Sequence, residues 1–103
     1  MQVKSKKDIF LILQNNEKNI KSLGIKMIGL FGSYVRNEQK QKSDIDIIAE
    51  FHKDRKTFDN FMNLALLLEN LLGRNVELVT SESLSPYIKP YIMKEIEYVP
   101  FTS

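Results

Sequence analysis

Gly32-Ser33-Tyr34-Val35-Arg36-Asn37-Glu38-Gln39-Lys40-Gln41-Lys42-Ser43-Asp44-Ile45-Asp46 is the stretch on which the reading of this chain turns. The apolar run before it, Ile25 to Phe31, reads as a strand, and Gly32-Ser33 would turn that strand into a short helix starting near Tyr34. A turn of this kind aims free N–H groups at an anion. Glycine lets a phosphate oxygen come close, the helix start carries unsatisfied donors and partial positive charge, and the Ser33 hydroxyl adds one more donor. Arg36, one helical turn from Ser33, can reach a phosphate oxygen or brace a carboxylate, unless it is simply a solvated arginine.

Ten residues separate Ser33 from Asp44-Ile45-Asp46. On a strand from Ile45 to Phe51, Asp44, Asp46, Ile48 and Glu50 share one face, while Ile45, Ile47, Ala49 and Phe51 share the other. Carboxylates about 6 to 7 Å apart along a strand suit hard divalent ions whose remaining ligands are water and phosphate, the usual arrangement for Mg²⁺. A cradle beside such a pair points to a nucleoside triphosphate.

Outward from this stretch, Ser5 and Asp8 predict the start of a short helix carrying Ile9, Phe10, Ile12 and Leu13. A second helix is expected over 16–23, ended by Gly24 in a left-handed conformation. Phe58, Phe61, Ala65, Leu68 and Leu72 give a stripe for a long helix over 57–72 that Gly73 stops. The run 75–80 alternates as a third strand with Glu77 on the opposite face from Val76 and Leu78, so Glu77 could join the aspartates. A last helix over 87–97 is expected to be interrupted or restarted at Pro90. The predicted fold is α/β (α+β): a small mixed sheet of three or more strands flanked by helices.

The 103 residues and 12.0 kDa are read as one domain, 1–103, able to bury about two thirds of the unfolded surface. A net charge of +2 with 27% charged residues calls for no polyanionic partner such as nucleic acid. The absence of cysteine excludes disulfides and thiolate zinc sites and fits a reducing compartment. No apolar run approaches the roughly 18 residues of a membrane span, and the start lacks a secretory pattern. A soluble, cytoplasmic protein is expected.

Gly-Ser, ten residues, then Asp-x-Asp resembles the signature of the DNA polymerase beta superfamily of nucleotidyltransferases. In particular the chain is similar, almost to Val99, to the minimal nucleotidyltransferases of bacteria and archaea, which are often paired as antitoxin with an all-helical HEPN-type toxin. Haloacid dehalogenase-type phosphatases fit less well, because they want a threonine where Ile48 stands. The resemblance implies ATP as substrate on Gly32, Ser33 and Arg36, and two Mg²⁺ ions on Asp44, Asp46 and Glu77. It also implies transfer of AMP to a hydroxyl, typically a tyrosine, of a HEPN-type toxin. Val35 and Asn37 depart from the family's Gly-Ser-x-Ala-Arg-Gly run. More important, Glu77 stands where an aspartate is usual, so a working transferase and a catalytically impaired antitoxin acting by binding alone both remain open. Oligomerisation is also open.

Overall fold

The computed structural model describes residues 3–102. Helices α1 (Lys6–Asn15) and α2 (Glu17–Lys21) lead into strand β1 (Ile25–Phe31), followed by β2 (Ile45–Phe51), α3 (Phe58–Leu72), β3 (Val76–Thr80), α4 (Lys89–Glu95) and β4 (Glu97–Tyr98). The sheet runs β3-β2-β1-β4. β2 is antiparallel to β1 and parallel to β3, with α3 as the crossover, and β4 is antiparallel to β1. This is the mixed α/β architecture expected, enlarged by one edge strand.

Local chemistry sets the boundaries. The Ser5 side chain accepts the Asp8 N–H at the start of α1, and Thr57 does the same for Asn60 at the start of α3. Each cap is worth about 1 kcal/mol. Gly24 (φ +85°) and Gly73 (φ +66°) take the left-handed conformation after α2 and α3, where a side chain would be strained. Pro90 lies in the first turn of α4, where its missing N–H is harmless, so the helix begins there and is not broken.

The core fills one face of the sheet. Ile9, Leu13 and Ile20 from the first two helices and Leu64, Leu68 and Leu72 from α3 pack with Ile28, Leu30, Ile45 and Ile47, all essentially removed from water. The expected α3 stripe is met in part, with Leu68 and Leu72 buried and Phe61 and Ala65 partly so. Its buried line is Leu64, Leu68 and Leu72, whereas Phe58 is 77% exposed and forms an outer apolar row with Met62 and Leu66. The two rows lie two residues out of phase, about 200° apart around a helix, and the expected stripe departs from the buried one in including Phe58 and omitting Leu64.

The opposite sheet face is covered only in part. Gly29 opposes Ile48 on one side and Tyr98 on the other. A Cβ on Gly29 would stand 2.8 Å from Ile96 Cγ2 and 3.1 Å from Tyr98 Cδ1, so glycine at this position admits the chain end that follows α4. Ile48 is buried at this contact, and the other end of the same face stays open. Among the described residues no helix is long and apolar enough to cross a membrane.

Candidate nucleotide and metal site

The open end of that face is where β1 ends and β2 begins. Phe31 pairs with Asp46, and Asp46 pairs on its other side with Glu77 in the parallel register of β3. Residues paired across strands project from the same face. The alternation read from 75–80 therefore carries Glu77 beside Asp46, as expected from the sequence.

Gly32 and Ser33 follow β1 directly, but the expected short helix is a single turn. Arg36 N–H donates to the Gly32 carbonyl at 3.2 Å and Glu38 N–H to the Ser33 carbonyl at 2.8 Å. Asn37 at φ +58° reverses the backbone before a second turn can form. Asparagine is among the few non-glycine residues that tolerate this conformation, and it does so where the family resemblance places glycine.

Gly32 itself sits at φ +79°, and a Cβ there would collide with the Asp46 carboxylate. The cradle and the carboxylate are thus in contact, which the sequence alone could only place in the same region. Gly32→Ala is expected to destabilise the protein by about 1–3 kcal/mol through a left-handed non-glycine residue and to push Asp46 out of place. Urea unfolding measures the first effect, and wild-type stability in the alanine variant would contradict this account of the turn.

The carboxylates are crowded. Burial, the hydrogen bond and negative charge of Glu77, and the charge of Asp44 together push the Asp46 carboxyl up to about 7, with Arg36 acting in the opposite direction. Asp44, one residue before β2, is exposed, as is Glu77. Negative charge gathered in this way, only partly offset by Arg36, is the setting in which a bound cation would favour the charged carboxylates. Among the described residues no group of three or more histidine, aspartate or glutamate side chains is placed so as to hold a metal ion. Asp44, Asp46 and Glu77 are oxygen donors, the ligand type that Mg²⁺ takes beside water and phosphate.

Arg36 is half-exposed. It donates from Nε to Glu38 Oε1 at 2.9 Å and from Nη1 to Glu95 Oε1 at 2.8 Å, and these partners raise its pKa above the ordinary arginine value. Glu95 also accepts the Gly32 N–H at 2.6 Å. An open cleft of about 410 Å³ borders Asp44, with Lys42 and Arg74 among its walls. Arg74 donates to the carbonyls of Gln41 and Ser43 and so ties down the loop that delivers Asp44. Glu95 and Arg74 were not singled out from the sequence: the role of Glu95 depends on a pairing of β4 with β1, and that of Arg74 on contacts with loop carbonyls, neither of which leaves a sequence pattern.

The sequence profile of the family described as polymerase beta, nucleotidyltransferase matches residues 7–99. The protein adenylyltransferase MntA of Thermococcus cleftensis is 39% identical over 93 residues, covering 89% of this chain and 93% of the relative. A crystal structure of a toxin-antitoxin with AMP-PNP superposes with a TM-score of 0.67 at 26% identity, over 87% of this chain and 74% of that one. A tri-AMPylated Shewanella oneidensis HEPN toxin in complex with its MNT antitoxin gives a TM-score of 0.56 at 27% identity, over 86% of this chain and 72% of that chain.

Proposed function

The chain belongs to the polymerase beta family of nucleotidyltransferases, and from that premise we propose that it is a protein adenylyltransferase that moves AMP from ATP to a hydroxyl of a HEPN-type toxin, acting as its antitoxin. One observation carries this reading: the Gly32 turn touches the Asp46 carboxylate, and Asp46 lies beside Glu77. A phosphate on the turn would thereby come within reach of the carboxylates.

In this reading Gly32 N–H, Ser33 and Arg36 hold the triphosphate. Two Mg²⁺ ions held by Asp44, Asp46 and Glu77 would supply Lewis-acid neutralisation of the phosphate oxygens. The acceptor hydroxyl oxygen attacks the α phosphorus in line, the bond to the bridging oxygen breaks, and pyrophosphate leaves with that electron pair. Glu77 takes the hydroxyl proton, a role that needs a carboxylate within hydrogen-bond reach of the acceptor. Arg36 balances charge on the phosphates through its planar donor fork.

Exposed apolar residues, Phe58 and Leu66 on α3, Tyr87 in the turn before α4 and Tyr91 within it, are of the kind a protein partner covers. The second reading, neutralisation by binding alone, draws support from Glu77, whose extra methylene can shift a metal by about an ångström and lower the rate about 10²-fold.

Pyrophosphate release tests the proposal. With ATP, Mg²⁺ and a HEPN-type partner, release is expected, and it stops on chelation or when the partner is omitted. Release no faster than background with every triphosphate would favour the binding-only reading.

A further inference from the structure

Two of the three groups assigned above to the triphosphate are already engaged by one carboxylate. Gly32 N–H donates to Glu95 Oε2 at 2.6 Å, and Arg36 Nη1 donates to Oε1 at 2.8 Å and to Oε2 at 3.2 Å. The Glu95 side chain is only 23% exposed. A carboxylate and a phosphate present the same feature to such donors, paired anionic oxygens that accept charge-assisted hydrogen bonds. The two cannot occupy the place together, because they would compete for the same N–H groups and repel one another.

The fold explains how Glu95 comes to be there. It is the last residue of α4; Ile96 is extended at φ −58° and ψ 133°, and β4 then pairs Glu97 with Leu30 and Tyr98 with Gly29. Continuing that antiparallel register by two residues brings Glu95 opposite Gly32. The strand pairing fixes where the carboxylate arrives, while the helix that carries it is loosely held. None of the seven residues of α4 is buried, and Tyr91 and Met93 are exposed. Segments with so few buried apolar contacts move at low free-energy cost.

We propose that Glu95 is an intramolecular stand-in for a phosphate of the nucleotide, closing the cradle in the empty protein and leaving it when the triphosphate enters. The end of α4 is then a gate on the same site, and this inference rests on the nucleotide reading given above. Each binding event must first open the gate, so the measured affinity is the intrinsic affinity multiplied by the fraction of open molecules.

The test is equilibrium binding of two probes, inorganic tripolyphosphate and AMP-PNP, each with Mg²⁺, to the full chain. Glu95→Gln is expected to bind both about tenfold more tightly than wild type, because the charge that competes for two charge-assisted contacts is gone. Glu95→Ala should change affinity in the same direction and guards against a glutamine that keeps the gate shut by neutral hydrogen bonds. Glu97→Gln is the charge control. Glu97 lies two residues away in an ion pair with Lys6 at 2.8 Å, so its replacement alters net charge equally without touching the cradle and should leave affinity unchanged. Equal or weaker binding by both Glu95 variants would overturn the gate and make Glu95 a brace for Arg36. A gain matched by Glu97→Gln would overturn it as well, reducing the effect to general electrostatics. Failure of every protein, wild type included, to bind either probe would sink the nucleotide reading itself and the gate with it.

Discussion

Replacing Asp44 and Asp46 together by asparagine is expected to reduce AMP transfer at least about 10³-fold, the scale of several kcal/mol of lost charge stabilisation at the phosphates. The fold should survive this change. Asp44 is exposed, and Asp46 sits against Glu77 in an arrangement that already disfavours its charged form. Neutral asparagines relieve that crowding, so thermal melting should be unchanged or slightly higher. Initial rates of pyrophosphate release, read beside melting curves, separate lost chemistry from lost structure. If the double variant kept its rate, the carboxylates would have no part in the reaction. If it kept only its ability to silence the toxin, binding would be the operative mechanism.

The second large effect is expected at Glu77. Glu77→Gln preserves shape and hydrogen-bonding capacity but removes the group that accepts the proton, and general-base contributions are typically about 10² to 10⁴ in rate. The loss should fall chiefly on kcat, with a smaller rise in KM from the weaker hold on the metal that Glu77 would share with Asp46. Glu77→Asp introduces the residue that the family resemblance implies there and is expected to retain transfer. A glutamine variant as fast as wild type would remove the general-base role. An aspartate variant much faster than wild type would show that the longer arm impairs this chain.

What could be read in the sequence follows from the range of each interaction. Ser5 with Asp8, Gly24 and Gly73 act within a few residues of themselves, and the structure places each where local chemistry predicts. The strand-turn-strand stretch was equally legible, since two-residue alternation fixes the face of Asp46 and of Glu77. The exceptions depend on contacts distant in sequence. Two residues of β4 give no periodic signal, yet their pairing with β1 brings Glu95 to Gly32 across 63 positions. The turn after Ser33 is shorter than the expected helix because of the backbone of one residue, Asn37. On α3 the spacing already assigned Leu68 and Leu72 to the core, and only packing on the sheet adds Leu64 and leaves Phe58 outside.

The central claim is AMP transfer to a protein hydroxyl, and intact mass spectrometry tests it most directly. A HEPN-type partner is incubated with ATP, Mg²⁺ and either the wild-type chain or the Asp44→Asn, Asp46→Asn variant. The account predicts that the partner gains whole multiples of the AMP mass with the wild type, located by peptide mapping on a hydroxyl side chain, and gains nothing with the variant. A partner of unchanged mass that nonetheless forms a stable, silenced complex with the wild-type chain would contradict it.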